Sequence, residues 1–113
     1  MKEAGWVITT PTMKRAGLLN AAAGMFHKAG QIREAGLSYW DAAHGLPVGP
    51  IDALTNFNSN MTQAATMFKQ IKDDEAIDGL LADYKIHIVK FLTNPKEIQR
   101  QVLSLERYAG RRI

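Results

Sequence analysis

The chain has 113 residues, a net charge of +3, 46% hydrophobic residues, 22% charged residues and no cysteine. This length suits one domain, and the composition is that of a folded rather than a disordered protein. The absence of cysteine excludes disulfides, thiolate metal sites and thiol catalysis. No run approaches the roughly 18 apolar residues of a membrane span. Residues 1–11 lack the apolar stretch of a signal peptide, so we expect synthesis in the cytoplasm.

Four prolines divide the chain where helical patterns start or stop. We expect an all-α single domain over residues 1–113, with three to four helices. These would form a small bundle or an extended helical hairpin with coiled-coil-like packing. The predicted segments are an apolar arm (1–11), a long glycine- and alanine-rich helix (12–45), one kinked helix or two helices (52–93) and a C-terminal helix (95–110).

The long helix carries a seven-residue repeat, GLLNAAA-GMFHKAG-QIREAGL-SYWDAAH, which begins at Gly17. Its large residues form two ridges with small residues between them, which predicts a groove that a partner helix could approach closely. The seven-residue period predicts a left-handed supercoil. Each glycine inside a helix costs about 1 kcal/mol relative to alanine, so close packing against a later helix or another copy has to recover the loss. The predicted packing surface consists of Leu18, Ala22, Met25, Phe26, Ala29, Ile32, Gly36, Tyr39 and Trp40.

The segment that follows is the natural candidate to fill this groove. Asp52 is a plausible N-cap, and the apolar residues then alternate at spacings of three and four, as in a coiled-coil seam. The apolar stripe shifts phase near Asp73 and Asp74, which predicts a kink or a break there. The seam residues are Leu54, Phe57, Met61, Ala64, Phe68 and Ile71.

The last helix has clear start and stop signals. Asn94, Pro95 and Glu97 read as a cap, a first helical residue and a capping-box glutamate. Gly110 is typical of a helix end. The cations of this helix are candidates for nucleic-acid contact, although Glu97 and Glu106 interrupt the basic face. The candidate contacts are Lys96, Arg100, Arg107, Arg111 and Arg112.

The sequence offers no motif that indicates catalysis. His27, His44 and His87 fall on different segments, and we find for none of them a second ligand at the i, i+4 spacing of a helical zinc site. The acidic residues between 73 and 78 lack the ligand order of a calcium loop. No strand precedes a glycine-rich phosphate loop. We therefore expect no enzyme activity, no cofactor and no metal.

The glycine- and alanine-rich helix faces resemble those of small helical subunits in phage particles and secretion filaments. The turn Leu92-Thr93-Asn94-Pro95 resembles that of needle-type filament subunits, which are single hairpins. We expect a non-enzymatic structural or assembly subunit of a larger complex, such as a virion or a secretion-type assembly. Its partners would be other protein chains, including copies of itself. The alternative is a small nucleic-acid-binding or inhibitory regulator that uses the basic C-terminal helix.

Overall fold

The computed structural model describes residues 17–44 and 51–110, and every regular element in these ranges is an α-helix. The elements are α1 (residues 17–28), α2 (Ile32–His44), α3 (Ile51–Gln70), α4 (Asp74–Ile88) and α5 (Pro95–Tyr108). The all-α prediction is confirmed for the described residues, which form five helices rather than three or four. In these ranges no helix is both long enough and apolar enough to cross a membrane. The predicted arm over 1–11 lies outside the described residues.

The structure corrects the single long helix predicted over residues 12–45. Gly30 has a φ of +80°, a left-handed conformation that glycine adopts at little steric cost. Its amide donates to the carbonyl of His27 (3.1 Å), and the amide of Gln31 donates to that of Phe26 (2.9 Å). These are the two hydrogen bonds of a Schellman motif. The seven-residue repeat therefore runs through a helix end, and the predicted supercoil has no continuous helix to act on.

A second helix end separates α3 from α4, at the phase shift in the apolar stripe. Lys72 adopts a positive φ of 58°, and Asp73 then caps α4 by accepting from the amide of Ala76 at 3.0 Å. The other carboxylate oxygen of Asp73 accepts from Arg33 Nε at 2.9 Å. The hydrogen bond from Ala76, and then that from Arg33, hold the pKa of Asp73 below its usual value. The carboxylate of Asp73 thus caps the N-terminus of α4 and also links α4 to α2.

α5 begins and ends at its capping signals. Asn94 Oδ1 accepts from the amide of Lys96 at 2.9 Å, and Pro95 occupies the first turn. Gly110, with a φ of +82°, follows the C-cap residue Ala109. In contrast, α3 already begins at Ile51, so the predicted cap Asp52 lies inside its first turn.

The core lies around α3, which packs against α2, α4 and α5. Phe57 stacks on the ring of Tyr84 with their centroids 5.5 Å apart, and Leu105 brings α5 into the same core. Of the predicted seam, Ile71 is 39% exposed at the end of α3. Leu54 is half-buried, and the remaining four seam residues are fully buried: Phe57, Met61, Ala64 and Phe68.

Candidate functional site

The outward side of α1 is apolar, which is unusual for an exposed helix face. Leu18 is 64% exposed and Met25 is 72% exposed, and seven residues of spacing put them on one side of the helix. Ala21 is exposed beside them, and Lys28 is the only charged residue in α1. A surface helix ordinarily presents polar residues to water. The described part of the chain therefore leaves an apolar surface of α1 uncovered.

The opposite side of α1 packs against the body of the protein. Ala23 is completely buried, and the carbonyl of Leu19 accepts a hydrogen bond from Ser38 Oγ of α2 at 2.7 Å. Beside the ridge of Leu18 and Met25, a Cβ added to Gly17 or Gly24 would find no heavy atom within 4 Å among residues 17–44 and 51–110. A shallow furrow of small residues therefore lies open next to the ridge. We call the two together the α1 face, which consists of Gly17, Leu18, Ala21, Gly24 and Met25.

In α2 the predicted groove is filled from within the chain. Gly36 is buried, and a Cβ there would lie 2.7 Å from Cε1 of Phe68 and 3.1 Å from Cβ of Met67. Small side chains thus let α2 and α3 approach closely, as the repeat predicts, with α3 as the partner. The predicted packing surface is therefore divided between an open part on α1 and a buried part on α2. Its other members are half-buried, apart from the exposed turn residue Ala29: Ala22, Phe26, Ile32, Tyr39 and Trp40.

The basic face of α5 is partly neutralised. Arg100 Nε donates to Glu97 Oε1 at 3.1 Å, and Arg100 Nη2 donates to the second oxygen of the same carboxylate. Hydrogen bonds from Arg100, and then from Gln101, hold the pKa of Glu97 below its usual value. Within the described residues, the nucleic-acid alternative would therefore depend mainly on the exposed Lys96 and Arg107. The other two predicted contacts, Arg111 and Arg112, lie outside the described residues.

A cleft of about 640 Å³ lies where α3, α4 and α5 meet. On its wall, the hydroxyl of Tyr84 donates to Asn58 Oδ1 at 2.6 Å, and Asn58 Nδ2 donates to Gln101 Oε1 at 3.5 Å. Gln101 in turn donates to Glu97 Oε2 at 3.1 Å. Burial raises the pKa of Tyr84 to about 12, so its hydroxyl stays protonated. These polar groups bind one another, and the network joins the three helices.

A cluster of two imidazoles and a carboxylate lies where the end of α2 meets α4. His44 Nε2 is 2.8 Å from Asp83 Oδ2, and His87 Nδ1 is 3.6 Å from Asp83 Oδ1. Trp40 Nε1 donates to Asp83 Oδ2 at 2.8 Å. Burial is the main cause that lowers the pKa of His44, with Asp83 opposing it. His44 is therefore neutral at neutral pH, and its Nε2 donates a hydrogen bond to the carboxylate.

This cluster was not predicted from the sequence, although half of its signal is local. Asp83 and His87 do have the i, i+4 spacing on α4 that we did not find for any histidine. The third member, His44, has no local signal, because only the packing of α2 near α4 brings it to the other two. The cluster therefore corrects the prediction that the histidines lie apart.

Comparisons with known proteins found no match among family models, curated proteins or solved structures. No activity or partner is therefore carried over from another protein.

Proposed function

We propose that the chain is a non-enzymatic assembly subunit that pairs with further copies of itself through the α1 face. The observation that carries this proposal is the exposure of Leu18 (64%) and Met25 (72%) on a helix with one charged residue. Fully burying a side chain of this size contributes about 1.5–3 kcal/mol. In a symmetric pair the gain occurs on both chains. On the resemblance to phage and filament subunits, we place such a pair in a larger structure, such as a virion or a secretion-type assembly.

A second copy fits the α1 face because its ridge and its furrow repeat at the same spacing. Leu18 and Met25 are seven residues apart, and so are Gly17 and Gly24. In an antiparallel pair, the ridge of each copy would therefore lie in the furrow of the other, as in a two-fold symmetric interface. Lys28 stands at one end of α1, so the two copies would hold these cations at opposite ends of the contact. The face is thus self-complementary in shape and free of charge repulsion at its centre.

The variant Met25→Glu is expected to abolish self-association, because each of the two copies would then bury an unpaired carboxylate in the interface. Size-exclusion chromatography with light scattering, over a concentration series, measures the mass of both chains. The matched control is Ile86→Glu, which puts the same charge at a position on α4 that is 62% exposed, and which is expected to associate like the unaltered chain. A monomeric unaltered chain at every concentration, or equal loss in both variants, would contradict the proposal.

The variant Gly24→Ala is expected to stabilise the single chain and to weaken its self-association. Alanine raises helix stability by about 0.5–1 kcal/mol relative to glycine, and no heavy atom of the described residues lies within 4 Å of the added Cβ. The same methyl group would occupy the furrow that receives the ridge of the second copy. Urea unfolding in the Met25→Glu background measures the first effect, and light scattering of Gly24→Ala alone measures the second. Unchanged or tighter association would argue against the furrow as part of the interface.

A further inference from the structure

A group of metal-binding side chains lies outside the α1 face, where α2 ends beside α4. We propose that His44, Asp83 and His87 form a binding site for a zinc ion. Each residue offers one nitrogen or oxygen ligand, and the three ligand atoms lie within 4.8 Å of one another. Neutral imidazole and carboxylate are, with thiolate, the ligands that zinc takes in proteins.

The distances in this cluster are close to those of a coordinated ion. With bonds of about 2.0–2.1 Å, two ligand atoms of a tetrahedral zinc ion stand about 3.3 Å apart. His44 Nε2 and Asp83 Oδ2 are 2.8 Å apart, and the imidazole rings of His44 and His87 have their centroids 4.7 Å apart. Asp83 and His87 project from successive turns of α4, a rigid element. Small side-chain rotations, without a shift of the backbone, would therefore bring the three ligands around one ion.

Hydrogen bonds outside the cluster already orient two of the ligands. Trp40 Nε1 donates to Asp83 Oδ2 at 2.8 Å, and His87 Nδ1 lies 2.8 Å from the backbone carbonyl of Asp83. Because a carbonyl only accepts, His87 Nδ1 carries the hydrogen, and Nε2 holds the lone pair that a metal requires. Such outer hydrogen bonds set the tautomer and orientation of ligands in known metal sites. Asp83 and His87 are thus oriented before any ion binds, whereas His44 would have to carry its hydrogen on Nδ1 instead of Nε2 to bind the ion through Nε2.

The site is open to solvent and its carboxylate has no competing lysine or arginine partner in the described part of the chain. The side chains of His44, Asp83 and His87 are 29%, 28% and 28% exposed, so an ion can reach them. Among the basic side chains of the described residues, the two histidines alone lie within 4 Å of the carboxylate of Asp83. Three protein ligands leave a fourth position for water, as in accessible rather than closed structural zinc sites.

Isothermal titration of the untagged, chelator-treated chain with zinc chloride tests the proposal. The Met25→Glu background keeps the chain monomeric, so failure to bind zinc and failure to self-associate remain separate results. We expect saturable binding of one ion per chain. His44→Gln and His87→Gln should weaken it by more than the roughly 10- to 100-fold that loss of an outer hydrogen bond costs. The control His27→Gln, on α1 and outside the cluster, should bind like the parent chain.

Two further readouts do not depend on the heat of binding. Zinc should raise the melting temperature of the parent chain, which carries Met25→Glu, and of its His27→Gln variant, because the ion stabilises only a chain whose folded state binds it. It should not raise the melting temperature of the His87→Gln variant. Cobalt(II) in place of zinc should give the visible absorption of a tetrahedral centre in the same two chains only. Absence of saturable binding would overturn the proposal and leave the cluster a hydrogen-bonded trio. So would equal binding by His87→Gln and the parent, since the ion would then lie elsewhere.

Discussion

Replacing Trp40 with alanine is expected to lower the free energy of unfolding by about 3 kcal/mol, the lower end of the cost of truncating a large aromatic side chain in a core, because the indole is only partly buried. The indole joins three helices. Its ring meets Phe68 of α3 edge to face with centroids 6.0 Å apart, and its Cη2 would lie 3.2 Å from a Cβ on Gly79 of α4. Since the total stability of a domain is about 5–15 kcal/mol, the variant should lose a large part of it.

Trp40→Phe is the matched control for this prediction. It keeps an aromatic ring against Phe68 but loses the donor to Asp83, whose side chain is 28% exposed, so we expect a smaller loss of about 1 kcal/mol. Urea unfolding followed by far-ultraviolet circular dichroism suits both variants, because each removes a tryptophan and alters fluorescence. Equal stability of the two variants would mean that the indole contributes little to the core. Trp40 would then remain only a member of the predicted packing surface.

The start of α5 could be predicted from the sequence, because its capping residues mark it. The end of α1 at Gly30 could not, because a glycine there is also compatible with a continuous helix. Asn94 and Pro95 mark the start of α5 by local hydrogen bonding and a fixed φ, so no tertiary knowledge is needed. The break at Gly30 differs, because Gly24 stands in a similar small-residue context and stays helical. A glycine that fits the repeat can also fit a helix end, so the sequence pattern alone does not decide between a continuous helix and a break at Gly30.

The same limit applies to the candidate sites. The repeat predicts a groove lined by small residues, but such residues occur in both α1 and α2. The repeat therefore does not say which of these two helices another helix will cover. The answer depends on where α3 comes to lie, and Phe68 covers Gly36 while Gly24 stays open. Likewise Asp83 and His87 are visible as a pair on one helix, whereas His44 joins them only in the folded chain.

Gly36→Ala is expected to destabilise the chain by about 1–3 kcal/mol, the usual cost of overpacking a filled core. The new methyl group would lie 2.7 Å from the ring of Phe68, which is itself completely buried, and 3.1 Å from Cβ of Met67. The gain in helix propensity, at most about 1 kcal/mol, offsets only part of this clash. Urea unfolding in the Met25→Glu background measures the difference without a contribution from self-association.

The sign of the change in the free energy of unfolding distinguishes the α1 part of the repeat from the α2 part. Gly24→Ala and Gly36→Ala make the same chemical change, but the first is expected to stabilise the chain and the second to destabilise it. A double variant, Gly36→Ala with Phe68→Leu, tests the cause. If the ring is what the methyl group strikes, the two changes together should destabilise the chain by less than the sum of their separate effects. Strict additivity would mean that the clash lies elsewhere, and a stabilising Gly36→Ala would mean that α2 and α3 do not approach as closely as the glycine allows. A combined loss smaller than the sum would place Phe68 of α3 against Gly36, in the part of the groove that belongs to α2. The α1 face would then be the part of the groove that stays open to a second copy.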